Sequence, residues 1–123
     1  MANEKTLLEV IGRIEADVGG MIAAAAVDLE SGMTLAAKSN RPEFDLSVAS
    51  AYNSELVKQK MKIMQALNLK ATLEDMLLTL SDQLHLIKIL PQGGGFLYLA
   101  AERSGTNLAI LRTAVNKHCA ALT

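Results

Sequence analysis

The stretch from Met21 to Ala37, MIAAAAVDLESGMTLAA, decides the fold of this chain. Two short apolar runs lie on either side of Leu29–Gly32, whose Ser and Gly favour a tight turn between paired strands. The four alanines favour a helix, but their run is short and lies between Gly19-Gly20 and the turn. Alanine is a poor strand residue, so its use here predicts a central strand on which helices pack closely. We therefore predict a β-hairpin over this stretch.

Three helices are predicted around the hairpin from the spacing of apolar residues. Thr6 and Glu9 fit a capping box at the start of the first helix, and Gly19-Gly20 ends it. The longest helix is predicted over about Leu46–Asn68, a segment that contains neither Gly nor Pro. We expect Ser104–Asn107 to cap the last helix, whose apolar residues form one stripe.

Three strand-like runs lie between the second and third helices: Leu73–Leu80, Leu84–Leu90 and Phe96–Glu102. Their short links predict antiparallel hairpins. The last two runs are largely apolar at every position, which predicts burial on both faces, whereas Glu74 and Asp75 make the first run an edge strand. The order αββαβββα predicts an α+β sandwich, a single domain over residues 1–123 in which helices cover both faces of one sheet.

Composition and charge exclude several classes of function. Twelve Lys and Arg against thirteen Asp and Glu give a net charge of −1, so the chain has no basic excess for binding nucleic acid. No apolar run reaches the roughly 18 residues of a membrane span, and residues 1–5 do not resemble an export signal. The single Cys119 suits a reducing compartment. We therefore predict a cytoplasmic protein without membrane insertion.

The residues that carry catalysis or bind metals are few and separated. His85 lies in a predicted strand, while His118 and Cys119 are neighbours on the last helix, where adjacent side chains diverge by about 100°. Gly93–Gly95 precede a strand rather than the helix that a phosphate-binding loop requires. The side chains of the acidic pair Glu74-Asp75 point to opposite faces of a strand. The sequence therefore predicts no enzyme, no cofactor and no metal site.

Taken together, these segments resemble the roadblock/LC7 family over Leu7–Leu122. The segments that carry the resemblance are Met21–Ala37 as the first hairpin, Tyr52–Asn68 as the long central helix, Leu84–Leu90 and Gly95–Glu102 as the last strands, and Arg103–Asn107 as the start of the closing helix. The resemblance implies a profilin-like fold with a five-stranded antiparallel sheet. It also implies dimers, in which the second helices pack together and the third strands join into one sheet.

For function, the resemblance implies a non-enzymatic partner of small Ras-like GTPases or of dynein-type motors. In bacteria, stand-alone members of the family form a homodimer that binds a small GTPase and promotes its GTP hydrolysis. An alternative is a small-ligand sensor of the PAS or GAF kind, in which helices also surround a mixed sheet. The shortage of aromatic residues, which usually line such pockets, favours the first interpretation.

The residues themselves also favour a dimer. The apolar arc of the long helix approaches half of its circumference, which is wider than contact with one sheet requires, and the strand that follows has edge character. An edge strand beside an apolar helix face is a template for pairing with a second copy. The predicted interface residues are Tyr52, Leu56, Lys60, Ile63 and Met64 on the helix and Glu74, Met76 and Leu78 on the strand. The predicted opposite, solvated side of the helix consists of Ser54, Glu55, Lys58, Gln59, Lys62 and Gln65.

Overall fold

The computed structural model of the chain describes residues 3–122. Three α-helices and five β-strands follow one another in the predicted order αββαβββα. Their bounds are α1 Glu4–Asp17, β1 Met21–Asp28, β2 Thr34–Ser39, α2 Leu46–Ala66, β3 Asp75–Thr79, β4 Gln83–Ile89, β5 Gly95–Glu102 and α3 Leu108–Cys119. A short 3₁₀ turn, Ala120–Leu122, follows α3. Within the described residues, each helix is too short or too polar to cross a membrane.

The five strands form one antiparallel sheet in the order β2-β1-β5-β4-β3. The two edges of the sheet are therefore β2 and β3, and β1 lies in the interior beside the central β5. The alanines of β1, Ala23–Ala26, are at most 1% exposed. The antiparallel sheet is confirmed, and the alanine-rich strand is interior as expected, although the central position belongs to β5.

Helices cover both faces of the sheet, as predicted. One face, here called the α3 side, packs against α1 and α3, and the other, the α2 side, packs against α2. Because side chains alternate along a strand, Leu77 of β3 contacts the α3-side core, whereas Met76 and Leu78 contact the α2-side core. This alternation decides which residues of the edge strand lie near each helix.

Polar side chains and one left-handed residue set the helix ends. Asn3 caps α1, because its Oδ1 accepts a hydrogen bond from the Thr6 backbone N–H at 2.9 Å. The predicted capping box at Thr6 is therefore wrong: α1 begins one turn earlier, at the first side chain able to accept that bond. Asn107 caps α3 within the predicted segment. Asn68 follows Leu67, the C-cap of α2, and its φ of 56° is the left-handed conformation that commonly terminates a helix.

The edge strand β2 is short and irregular. A β-bulge interrupts its register with β1 between Ala26 and Val27. Lys38 of β2 forms an ion pair with Glu15 of α1, whose other carboxylate oxygen accepts a hydrogen bond from Asn40 Nδ2 at 2.6 Å. These hydrogen bonds hold the pKa of Glu15 below its ordinary value, and they tie the end of β2 to α1.

The contact between α2 and the sheet differs from the prediction. Ser54 is predicted on the solvated side, yet it is buried together with Ser50 against the β1–β2 hairpin. Ser50 Oγ lies 2.8 Å from Thr34 Oγ1, and a Cβ at Gly32 would lie 3.2 Å from Ser54 Oγ. The small serine and glycine allow α2 to approach the hairpin closely. As a result, part of the apolar arc of α2 turns away from its own sheet.

Candidate interface for a second copy and a partner

A stripe of exposed apolar residues runs along the side of α2 that the sheet does not cover. This α2 stripe consists of Tyr52, Leu56, Ile63 and Leu67, whose side chains are 74%, 37%, 41% and 62% exposed. Their spacing of four and seven residues places them on one side of the helix. Lys60 is also exposed within this stretch. Large apolar side chains in such a row are typical of a surface that another protein covers.

The outer edge of β3 presents backbone groups beside this helix that have no partner among residues 3–122. The N–H of Ile89 donates to Glu74 O at 3.0 Å, and the N–H of Leu80 donates to Gln83 O at 2.9 Å. In an antiparallel ladder the paired residues alternate, so the even-numbered residues of β3 bond to β4. Asp75, Leu77 and Thr79 therefore direct their N–H and C=O groups outward. An edge of this kind accepts a further strand.

The α2 side of the sheet is incompletely covered near β3. Met76 and Leu78 are half-buried, and so are the neighbouring His85 and Ile89 of β4. Ile87, which lies between them on β4, and Tyr98 of the central β5 are buried. The close approach of α2 to the opposite end of the sheet explains this gradient. The partly open surface thus lies directly beside the free edge.

A cleft of about 400 Å³ lies where β3 begins. This β3 cleft is lined by Lys60, Met64, Leu69, Thr72, Leu73, Glu74, Asp75 and Arg112. Arg112 reaches from α3 across the end of the strand, and its Nη2 lies 2.9 Å from Asp75 Oδ1. Lys60 has no carboxylate within 4 Å among residues 3–122. The cleft therefore combines apolar side chains, Met64, Leu69 and Leu73, with charged and polar ones.

The structure brings part of the predicted interface together. Three predicted residues, Lys60, Met64 and Glu74, line the β3 cleft. The predicted strand residues Met76 and Leu78 share the α2-side core with Met61. The remaining predicted residues, Tyr52, Leu56 and Ile63, lie on the α2 stripe. The structure adds three residues to those predicted: Leu67 on the α2 stripe, and Leu73 and Arg112 in the β3 cleft. Arg112 is distant from β3 in the sequence, and the fold brings it next to that strand.

A polar network that sequence patterns do not reveal fills part of the half-covered face. His85 Nδ1 lies 3.2 Å from the Tyr98 hydroxyl, and His85 Nε2 lies 2.7 Å from Gln83 Oε1. Phe44 packs with its ring edge-on to His85, at a centroid distance of 6.3 Å. Burial lowers the pKa of His85 and raises the pKa of Tyr98 to about 12. A neutral His85 that donates a hydrogen bond from Nε2 to Gln83 Oε1, and accepts one from the Tyr98 hydroxyl at Nδ1, satisfies these contacts.

The other reactive side chains have structural contacts. Cys119 is fully buried in the α3-side core, and burial raises the pKa of its thiol to about 11. His118 Nε2 lies 2.7 Å from Asp17 Oδ2 and so links α3 to the end of α1. Across the described residues, no group of three or more His, Cys, Asp or Glu is arranged to hold a metal ion.

The fold has close structural relatives. MglB from Myxococcus xanthus superposes with a TM-score of 0.87 at 14% sequence identity, over 100% of this chain and 90% of that chain. An MglB with tetrameric arrangement gives 0.83 at 15% identity, over 99% and 88%. A roadblock/LC7 domain from Streptomyces avermitilis gives 0.78 at 13% identity, over 99% and 95%. No protein-family model and no curated protein matches the chain. The element order, the sheet and these likenesses show that this chain has the roadblock/LC7 fold that its sequence resembles.

Proposed function

We propose that two copies of this chain pair through β3 and α2, and that the dimer binds a small Ras-like GTPase as a non-catalytic regulator. The observation that carries this proposal is the free β3 edge, which lies beside a half-covered sheet face and the exposed α2 stripe. The resemblance of the sequence to the roadblock/LC7 family also supports it, because that family implies such a dimer and a partner among small Ras-like GTPases or dynein-type motors. One similar structure, an MglB, has a tetrameric arrangement.

The outward backbone groups of β3 favour one register for this pairing. If the two-fold axis passes at Leu77, each Leu77 pairs with the Leu77 of the second copy, and each Asp75 pairs with Thr79. All three outward residues of both strands then form hydrogen bonds. A shift in either direction leaves some of these groups unpaired, and centring the axis on Asp75 would place two carboxylates side by side. The favoured register places Met76 beside Leu78 of the second copy on the α2 side.

The α2 stripe supplies the apolar part of the proposed interface. Full burial of a Leu or Ile side chain contributes roughly 1.5–3 kcal/mol. Leu56, Ile63 and Leu67 are 37%, 41% and 62% exposed, so pairing buries only that part of each. Since each occurs twice in a symmetric dimer, their burial contributes roughly 4–8 kcal/mol, which falls within the cost of association, about 4–15 kcal/mol. Tyr52, the most exposed member of the stripe, adds an aromatic side chain of a kind that is enriched at protein interfaces.

We further propose that the dimer promotes GTP hydrolysis by favouring one conformation of the GTPase. A partner shifts a conformational equilibrium when it binds one state more tightly than the other. No residue of this chain is assigned as an arginine finger. Two lysines of the predicted solvated side of α2, Lys58 and Lys62, contribute cationic groups. Lys62 is exposed. Lys58 lies beside the β1–β2 turn, where its Nζ donates to Glu30 O at 2.8 Å. These lysines suit an acidic surface on the partner.

Mass in solution tests the dimer. We expect the wild-type protein to sediment as a dimer, whereas Leu56→Asp and Met76→Asp each shift it toward monomer, because each places a charge in the proposed contact. Leu8→Asp is the matched control: Leu8 is 40% exposed, close to the 37% of Leu56, but it lies on α1. The interface is wrong if both test variants keep the wild-type mass.

A binding experiment tests the partner. Immobilised wild-type protein is incubated with the small GTPases of the source organism, and the rate of GTP hydrolysis is measured with and without the dimer. We expect one GTPase to be retained and to hydrolyse GTP faster. Retention of none, together with a metabolite that raises the melting temperature of the protein alone, would instead support the small-ligand sensor.

A further inference from the structure

The turn between β3 and β4 carries an exposed leucine on a rigid support. Leu80 is 41% exposed, yet its backbone is fixed on both sides. Its N–H donates to Gln83 O at 2.9 Å, and Arg103 Nη1 donates to Leu80 O at 3.2 Å. The N–H of Arg103 also donates to Asp82 O at 3.1 Å. An apolar side chain presented by a fixed backbone loses little entropy when a partner covers it.

The β3 cleft lies at the opposite end of the same strand. Its apolar wall consists of Met64, Leu69 and Leu73, of which Leu69 is half exposed. Its volume of about 400 Å³ is ample for one leucine side chain. The six residue steps from Glu74 to Leu80 span roughly 20 Å of extended chain, so Leu80 does not reach the cleft of its own copy.

Pairing of two β3 strands brings the leucine and the cleft together. When the axis passes at Leu77, Glu74 of one copy lies opposite Leu80 of the second. Both positions are even-numbered, so both side chains are on the α2 side, as are the cleft residues Lys60 and Met64, which belong to α2. The two residues form a non-hydrogen-bonded pair, the type in which side chains lie closest, with Cα atoms about 4.5 Å apart.

We propose that Leu80 of each copy inserts into the β3 cleft of the other copy, between Leu73 and the aliphatic stem of Lys60. The contact is reciprocal, as two-fold symmetry requires, and each cleft is filled only when the second copy supplies its leucine. This pair of contacts fixes the strand register. It also selects the partner, because a polar residue at the turn of another chain would leave the cleft unfilled. The inference rests on the proposed dimer and adds the residues that define it.

Cysteine cross-linking tests the register. In the double variant Glu74→Cys/Leu80→Cys, the two new cysteines come within disulfide distance only across the two copies. We expect this variant to form a covalent dimer under mild oxidation, whereas the single variants Glu74→Cys and Leu80→Cys remain without a cross-link. The native Cys119 is fully buried and serves as the background in all three proteins. The register is overturned if the double variant forms no more cross-link than the single variants.

Truncation tests the contribution of the leucine. We expect Leu80→Ala to raise the dimer dissociation constant at least tenfold, whereas Leu8→Ala, which shortens an equally exposed leucine on α1, changes it less than twofold. Equal dissociation constants for both variants would overturn the insertion while leaving the dimer in place. A wild-type protein that is monomeric at every concentration would overturn the dimer and the insertion together.

Discussion

Ser50 and Ser54 lie one helical turn apart on α2, and both are buried against the β1–β2 hairpin. Ser50 bonds to Thr34, but the hydroxyl of Ser54 has no hydrogen-bond partner among the described residues. Hydropathy assigns a serine between Asn53 and Glu55 to solvent, and this is why the sequence prediction for Ser54 is wrong. The size of the side chain decided the contact, since a larger residue at either position would hold the helix away from the strand.

The two serines should respond oppositely to truncation. Ser54→Ala removes a buried hydroxyl that has lost water without gaining a partner, so we expect the free energy of unfolding to rise by about 1 kcal/mol. Ser50→Ala leaves the Thr34 hydroxyl without its hydrogen-bond partner, so we expect the free energy of unfolding to fall by about 1 kcal/mol. Urea unfolding of the two variants measures both changes. A loss of stability in Ser54→Ala would contradict this account of the contact.

His85 makes stability depend on pH. Burial lowers its pKa in the folded protein, so the unfolded chain binds this proton more readily. Neutral His85 therefore contributes fully to the free energy of unfolding above the ordinary histidine pKa of about 6.5. This contribution is lost as the pH falls from that value through the lower pKa of His85 in the folded protein. We expect unfolding free energy to fall from pH 7 to pH 5, and to fall less in His85→Gln. Parallel pH profiles for the two proteins would count against this role.

At the scale of elements, apolar periodicity predicted all three helices, and short apolar runs separated by turn residues predicted all five strands in their order. Their limits were harder to predict at the edge of the sheet. The run Leu73–Leu80 contains the shorter strand β3, because an edge strand has a neighbour on one side only and ends where β4 ends. The direction in which α2 faces was also beyond the sequence. Its broad apolar arc allowed two orientations, and the buried serines selected the one that exposes the α2 stripe.

Gly12 is an unfavourable residue for its element. It lies in the middle of α1 and is exposed, and apart from its own stretch of helix no heavy atom of residues 3–122 lies within 4 Å of the place that a Cβ would occupy. Glycine in a helix interior costs roughly 0.5–1 kcal/mol relative to alanine. Gly12→Ala should therefore raise the free energy of unfolding by about 0.5–1 kcal/mol, and the melting temperature should rise with it. Calorimetry checks the prediction, and an unchanged or lower melting temperature would mean that this face of α1 has another constraint.

For the whole molecule, the topology follows from the sequence, but the geometry of the candidate interface does not. The broad apolar arc and the edge strand pointed to the region of Tyr52, Leu56 and Met76. The β3 cleft depends on contacts between segments far apart in the chain, such as Arg112 with Asp75, and no local pattern encodes them. The role proposed for Leu80 likewise needs the strand register, which only the pairing of β3 with β4 defines.

If folding and pairing are coupled, thermal stability depends on protein concentration. A dimer is favoured by mass action, so a tenfold increase in concentration should raise the melting temperature by roughly 3–5 °C. Leu56→Asp, which disfavours pairing, should show a melting temperature that does not change with concentration. Differential scanning calorimetry of both proteins measures this, and a concentration-independent wild-type transition would indicate that the monomer is the folding unit.

The irregular edge strand β2 has a consequence for polymerisation. Joining two sheets at β3 creates a ten-stranded sheet whose ends are the two β2 strands. Bulges and lysines are common protections of a terminal strand against indefinite growth, and β2 has both, in the bulge at Ala26/Val27 and in Lys38, which Glu15 holds in place. Strand addition in this protein would thus stop after a single step, giving a closed particle rather than a fibre.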